Sequence, residues 1–399
     1  MKLIFFDLHD TWLDLLPVTF TRYSAQIRLG IDTIADKWIA AMPQCMPAGY
    51  IGEDYLSEYS EYSLLDEKEE ALYIAGNVLP DLPLIEFISQ GFWQGKWVMK
   101  SGDRLVAMKG TAAEWNNRAA LPILDVPEEI TVRAIDRPYD IFAYNGEFIK
   151  KDFDRLVAGK VFTSPNRTNT VIGDPGLIYI APGAEVNGAI LNTTQGPIWI
   201  GREAHVMEGS CMRGPIAIGD HSSVNMGAKI YQDTTLGPWC KVGGELNNVV
   251  MQGFSNKAHD GFLGNAVIGE WCNLGAGCTA SNLKNDYTPV KLWNYRTRRF
   301  EQTGLQFCGL IMGDHSKAGI NTMFNTGTVV GVGCNIHGHG FPRNFIASFS
   351  DGGASGFTDV QLPKFFDTAL RMMSRREKEF SNRDRRLYES IFDFADTFK

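Results

Sequence analysis

The chain has 399 residues, 44% hydrophobic and 21% charged, the profile of an ordinary soluble globular protein with room for two or three domains. A net charge of −8 with no basic run leaves nothing to grip a phosphate backbone and excludes nucleic acid as an expected partner. Acidic residues interrupt the amino-terminal MKLIFFDLHDTWLDLL where a signal peptide needs a clean apolar stretch, and no segment reaches about 18 uninterrupted apolar residues, so a cytoplasmic protein without a membrane partner is expected.

Residues 1–155 alternate strand-like runs (Leu3–Phe6, Ala71–Ile74, Trp97–Met99, Leu105–Lys109) with helical patterns (Ser24–Ala40, Leu84–Gln90). That alternation predicts an α/β domain with a largely parallel sheet. A polar connection, 163–170, leads to Ile180 and Val186, where a different period begins. Ile200, Val206, Met212, Ile218, Val224, Ile230, Leu236 and Val242 then follow at strict six-residue spacing, a six-residue clock.

A period of six fits neither a helix nor an ordinary sheet. It suits a coil of three short flat strands, one aliphatic per hexad pointing inward before each corner. Gly201, Gly219, Gly237 and Gly243 directly follow clock residues, where a missing Cβ eases a turn. Ala204, Ser210, Ser222, Ala228, Thr234 and Cys240 supply small neighbours inside. The pattern predicts a left-handed parallel β-helix over 156–345. The clock slips between Val242 and Val250, resumes at Phe262, Ile268, Leu274 and Ala280, breaks over 282–307, and returns at Met312, Ala318, Phe324, Val330 and Ile336. Slips are read as loops pushed out of the coil, where chemistry tends to sit.

From Leu362 the period changes again. Phe365, Phe366, Ala369, Leu370 and Met373 fit one amphipathic helix, and Leu387, Ile391 and Phe394 a second, so residues 346–399 are expected to form a helical cap on the solenoid. The seven cysteines lack close CxxC pairing and read as reduced core thiols, and no metal site is expected from them.

The stretch Lys257-Ala258-His259-Asp260-Gly261-Phe262-Leu263-Gly264-Asn265, followed by Asn273-Leu274-Gly275-Ala276-Gly277 and Asn282, resembles a signature of the bifunctional N-acetylglucosamine-1-phosphate uridyltransferase/glucosamine-1-phosphate acetyltransferase family. The resemblance covers roughly residues 170–340, and the chain order resembles that family's as well. It implies a divergent α/β sugar-nucleotidyltransferase-like domain at 1–155, then the β-helix acyltransferase-like domain, then the helices. It further implies His259 as general base, with Asn273, Asn282, Phe262 and Lys257 at the substrate. The Ala276 N–H would face the thioester oxygen of acetyl-CoA, and coenzyme A would lie near Gly319 and Gly338 with Arg343 for its phosphates. Phe262 stands where the family has a tyrosine, which removes a hydroxyl. The asparagines also suit corner duty, because Asn tolerates left-handed backbone, and His205, His221, His315, His337 and His339 read as surface or corner residues.

The amino-terminal likeness rests on Leu15–Arg22, near the place of a Gly-rich loop and Pro-Lys pair, and on Tyr73–Leu79, where Asn77 replaces the aspartate that holds Mg²⁺. Arg22 and Asn77 are the nucleotide-site candidates, and Mg²⁺ is needed only if this domain is active. Three functions follow: an acetyl-CoA-dependent N-acyltransferase on an amino-sugar phosphate or nucleotide sugar, a sugar-1-phosphate nucleotidyltransferase with the solenoid as assembly module, or an inactive scaffold. The basic-aromatic segment Lys291–Arg299 is left between binding a sugar phosphate or nucleotide and covering a neighbouring subunit. The family resemblance implies a homotrimer.

Overall fold

Apolar runs flanked by polar turns build the first sheet of the computed structural model, which describes residues 1–60, 68–92, 94–160 and 164–398. Its strands are β1 (Lys2–Phe6), β2 (Met46–Ile51), β3 (Glu70–Ala75), β4 (Trp97–Ser101), β5 (Arg104–Thr111) and β6 (Ile123–Asp125), in the order β2-β1-β3-β5-β4-β6. β1 runs parallel to β2 and β3, and β6 parallel to β4, while β5 is antiparallel to both its neighbours. The sheet is therefore mixed. Only residues 102 and 103 separate β4 from β5, with Gly102 at φ +57, and a two-residue connection permits a hairpin but no parallel crossover.

Helices α1 (His9–Asp14), α2 (Ile34–Ala41), α3 (Leu82–Gly91) and α4 (Ala112–Asn116) accompany this sheet. The helix expected over Ser24–Ala40 is broken: a 3₁₀ turn at Ser24–Gln26 and α2 flank a non-helical bend at Arg28–Ile31, with Gly30 at φ +74. Tertiary bonds override the pattern there. Arg28 N donates to Gln252 Oε1 (2.7 Å), Gly30 N to Asn145 Oδ1 (2.7 Å) and Ile31 N to Asp152 Oδ2 (2.8 Å). The chain divides into two compact units, one of residues 1–15, 21–27 and 32–136, the other of 16–20, 28–31 and 137–399.

The second unit opens with α5 (Pro138–Val157), which the sequence reading did not predict. Its stripe of Ile141, Phe142, Phe148, Ile149 and Phe153 is buried, and it packs on the strands at 216–218, 234–236, 245–253 and 262–270. Thr163 of the polar connection lies outside the described residues. Asn166 and Asn169 close the first coil by donating to the Val186 carbonyl (3.0 and 2.8 Å).

A parallel β-solenoid of about ten turns then occupies residues 170–352. The eight clock residues from Ile200 to Val242 are at most 2% exposed, and the six small neighbours are fully buried. All seven cysteines are free; Cys211 alone is exposed. The glycines after clock residues lack left-handed φ. Their missing Cβ serves close coil-to-coil approach instead: a Cβ on Gly219 would come within 2.7 Å of the Gly237 backbone.

The slip after Val242 is a shortening, not an extruded loop. Leu236 stacks on Met251, fifteen residues on, where regular coils such as Ile218 to Leu236 take eighteen. Met251 rather than Val250 takes the inward place, and Leu263 rather than Phe262. Lys257 follows Val242 in the inward column. Residues 282–307 do leave the coil, as a hairpin of Lys291–Asn294 and Arg299–Gln302.

The helices α6 (Leu362–Ser374) and α7 (Asn382–Ala395) form as expected, with Leu370 48% exposed. They lie along the side of the coils rather than over the open end: Phe365 meets His315 and Phe349, and Arg376 reaches Asn256. The last coil is closed by a hairpin, Ser350–Gly353 with Gly356–Asp359, whose second strand ends that sheet.

Candidate functional site

Each coil is triangular, and its corners stack into columns. One column runs through 225–227, 243–244, 258–261, 275–277, 319–321 and 337–338, linked by bonds such as Gly243 N to Lys257 O (2.8 Å) and Gly277 N to Asp260 O (3.1 Å). It brings His259, Ala276, Gly319 and Gly338 onto one edge of the solenoid.

His259 is exposed, and among the described residues its imidazole has no hydrogen-bond partner. The carbonyls of its corner, by contrast, are held. Asn225 Nδ2 donates to the Ala258 carbonyl (2.9 Å), and Lys257 Nζ donates to the carbonyls of His259 and Asp260. Lys257 is fully buried, and burial pushes its ammonium below the usual lysine range. This corrects the expectation of Lys257 as a substrate ligand: its charge faces the interior and braces the corner, because the shortened coil sets a lysine in an inward position.

One coil further on, the Ala276 N–H donates to no acceptor among the described residues, and the same holds for Gly338. The Gly319 N–H is spent on the Ile336 carbonyl (2.8 Å). Arg343 is exposed, its guanidinium 5.7 Å from the centre of the Phe357 ring.

From the His259 corner the chain crosses a face through Phe262, Leu263 and Gly264 to the next corner at Asn265, a span of roughly 10 Å at about 3.3 Å per residue. Asn282 Nδ2 donates to Asn265 Oδ1 (2.7 Å). A Cβ on Gly264 would lie 2.5 Å from the tip of the Phe262 ring and 2.6 Å from Asn282 Nδ2, so Phe262, Asn265 and Asn282 form one cluster. Asn265 holds φ +46, the corner conformation weighed for the other asparagines; its bond to Asn282 was not legible without the coil register.

Beside Asn282 opens a cleft of about 420 Å³ lined by Ser281, Asn325, Thr326, Asn344 and the start of the excursion at Lys284–Asp286. Hydroxyl and amide groups dominate its wall. Asn273 stands apart, on the face before the His259 corner, where it accepts from Asn256 (3.4 Å). The hairpin at 291–302 spends its aromatics on its own chain: Trp293 stacks on Phe345 (4.3 Å), and Tyr295 meets Phe20, Phe345 and Phe398.

Other histidines differ from the surface-or-corner expectation in detail. His315 is a corner residue at φ +56, yet 1% exposed, with an unpartnered Nδ1 and a pKa held well below the usual value by burial. His337 bonds Asp351 at 3.0 Å.

In the first unit, the end of β1 presents a carboxylate that motif reading missed. Asp7 is buried and accepts from Ser24 N (2.7 Å) and from the Ser24 hydroxyl. Burial, more than these bonds can offset, pushes its pKa up to about 6. The carboxyl ends of parallel strands are where α/β sheets hold ligands. His9 bonds Glu53 (2.8 Å) and stacks on Trp12, whose indole donates to Tyr55 (3.1 Å).

Arg22 is 7% exposed, and the stretch likened to a phosphate loop divides, with Leu16–Phe20 assigned to the second unit. Asn77 is 4% exposed, and its amide donates to the Ile135 carbonyl (3.0 Å) and to Asp136 (3.3 Å). No cluster of three metal-ligating His, Cys, Asp or Glu side chains occurs among the described residues. The buried carboxylate that the end of β1 offers is Asp7, and Mg²⁺ held there would take further ligands from substrate phosphates. No helix among those residues is long and apolar enough to cross a membrane.

A family model described as sugar nucleotidyl transferase matches residues 3–161. The chain is similar to the bifunctional protein GlmU of Methanocaldococcus jannaschii, 40% identical over 78 residues, covering 20% of this chain and 18% of that protein. It is similar also to a bifunctional sugar-1-phosphate nucleotidylyltransferase/acetyltransferase of Sulfurisphaera tokodaii, 33% identical over 90 residues, covering 23% of this chain and 22% of that protein. The matches thus span about a fifth of those relatives' lengths. Among solved structures, PerB of Caulobacter crescentus in complex with CoA and GDP-perosamine aligns over 90% of this chain and 98% of its own, at 11% identity and a TM-score of 0.15, which supports no structural argument. These sequence findings bear out the resemblance read from the motifs.

Proposed function

We propose that the solenoid is an acetyl-CoA-dependent N-acyltransferase acting on an amino-sugar phosphate or nucleotide sugar, with His259 as general base. The observation that carries this reading is the single face bounded by the His259 corner and the Asn282 corner. An imidazole free to take a proton stands on one edge, an unspent N–H at Ala276 sits one coil above it, and a cleft of hydroxyls and amides opens at the other edge. A neutral imidazole accepts the proton that an attacking amine must lose as the C–N bond forms. The Ala276 N–H would donate to the thioester oxygen as negative charge grows on it, an interaction made stronger in the transition state than before it. Acetyl-CoA would supply the acyl group and leave as the free thiol, with its carrier along the corners of Gly319 and Gly338 and Arg343 for its phosphates.

Asn282, held by Asn265, would orient the sugar together with Ser281, Thr326 and Asn344, and Phe262 would pack against its ring. Asn273 would act from the adjoining face. His259→Ala is expected to lower acetylation of glucosamine 1-phosphate by ~100-fold or more while acetyl-CoA still binds. Undiminished turnover would remove His259 from the reaction.

The family match over residues 3–161 favours a second activity in the first unit, nucleotidyl transfer to a sugar 1-phosphate with Mg²⁺. Asp7 at the end of β1 is its strongest residue, with Arg22 and Asn77 in support. Pyrophosphate release from a nucleoside triphosphate, abolished by Asp7→Ala, is the expected sign. A homotrimer and a cytoplasmic location belong to the same proposal. The inactive-scaffold alternative predicts that neither acetyl-CoA nor nucleotides bind.

A further inference from the structure

A second cavity, of about 430 Å³, lies over the face that leads into the His259 corner, between the coils and the end of α6. Five cations line it and no carboxylate does: Lys241 and Lys317 from the coils, Arg371, Arg375 and Arg376 from the helix and the turn after it. Little compensates them. Among the described residues, Lys241 and Arg375 have neither an ion-pair nor a hydrogen-bond partner. Arg371 has only a loose, exposed pairing with Asp367 at 3.8 Å. Arg376 donates to Asn256 (3.1 Å), and Lys317 to the His315 carbonyl (2.6 Å).

Like charges gathered in a half-enclosed space repel, and the titration directions agree. Lys241 is held below its ordinary value by desolvation and then by Arg376 and Arg375, and Arg376 by desolvation and then by Arg375. An anion in the cavity reverses that repulsion.

The cavity's other wall is aromatic. Phe254 and Trp271 stack at 4.3 Å with 14° between their planes. Both stand in left-handed backbone, φ +53 and +59, a conformation that costs a bulky residue roughly 1–2 kcal/mol and that glycine would adopt freely. A phosphate ion alone would use the cations and leave the aromatic wall and most of the volume unfilled. Asn273, whose side-chain N–H₂ makes no bond among the described residues, adds a donor between the two halves.

We propose that this cavity binds a nucleoside diphosphate group, its two phosphates on the Lys241–Arg375–Arg376 side and its planar base against Phe254 and Trp271. Arginine forks suit phosphate oxygens, and stacked rings suit a base. The site does not depend on His259. The same chemistry occurs in free nucleoside diphosphates and nucleotide sugars and in the ADP end of coenzyme A.

Calorimetric titration with UDP, ADP, coenzyme A and inorganic pyrophosphate tests it on the full chain, as wild type and as Lys241→Ala, Arg375→Ala and His259→Ala. Lys241 and Arg375 are exposed, so their variants should fold as wild type does. Expected are nucleotide binding that weakens ~10-fold in each cation variant, stays unchanged in His259→Ala, and is tighter than that of pyrophosphate. Coenzyme A binding tighter than ADP and UDP would assign the site to the carrier, and the reverse order to a nucleotide or nucleotide sugar. Either order upholds the site. No nucleotide binding, binding unaffected by both cation variants, or pyrophosphate binding as tightly as the nucleotides would overturn it.

Discussion

Replacing Asp7 with asparagine should stabilise the first unit at neutral pH. In the folded chain burial pushes the Asp7 carboxyl up to about 6, against an ordinary value of 3.8. Between those values the folded state binds more protons than the unfolded one, so stability falls as pH rises through the window. Above it the full cost persists. About two pKa units at 1.36 kcal/mol each amount to about 3 kcal/mol. Asparagine removes the charge and can keep both bonds, its carbonyl accepting from Ser24 N and its amide donating to the Ser24 hydroxyl. Urea unfolding, read by hydrogen exchange at β1 and β3, should show Asp7→Asn more stable than wild type by up to about 3 kcal/mol at neutral pH and equal to it below pH 3.8. A variant less stable at neutral pH would refute the reasoning, since the ionised carboxylate would then be stabilising the fold. A costly buried charge at a strand end is what a functional carboxylate looks like, so loss of any nucleotidyl transfer with this gain in stability would assign Asp7 to the reaction.

Lys257→Met should lower kcat for acetyl transfer ~10-fold with KM for acetyl-CoA unchanged. It removes the brace under His259, while stability moves by less than ~2 kcal/mol because a buried charge goes with the lost bonds; an unchanged kcat would confine Lys257 to folding. Gly261→Ala places a Cβ against the Cys278 carbonyl at φ +121, so thermal unfolding should show a loss of ~2 kcal/mol or more; an unchanged stability would show that this corner does not require glycine. Phe262→Tyr restores the hydroxyl beside Asn282 and should change KM for the amino sugar but not for acetyl-CoA; a change confined to acetyl-CoA would move the acceptor away from this face.

The hexads were legible because one inward side chain per strand suffices to state the fold, and Ile200–Val242 stack in the structure as the spacing predicts. Register was less legible. Val250 and Phe262 keep nearly the right spacing yet face away from the interior, because the coils here are short, fifteen residues from Leu236 to Met251 and seventeen from Leu246 to Leu263. The same shortening hid Lys257, whose type argues for the surface and whose position is inward. Helix α5 was missed because Asn145 and Gly146 interrupt its apolar stripe. Both serve the coils: Asn145 bonds Gly30 and Asp233, and a side chain at Gly146 would meet the Asp233 carboxylate. His259, Ala276 and Asn282 could be named from a motif, whereas Asn265, Asp7 and the basic cavity needed contacts between residues far apart in sequence.

The most direct test of the account is to incubate the chain with acetyl-CoA and glucosamine 1-phosphate, following release of the coenzyme A thiol and formation of the sugar amide together. Equal amounts of thiol and amide, both lost in His259→Ala, are predicted. Thiol release without amide, or equal yields from the variant, would contradict the assignment of acyl transfer to the His259 face.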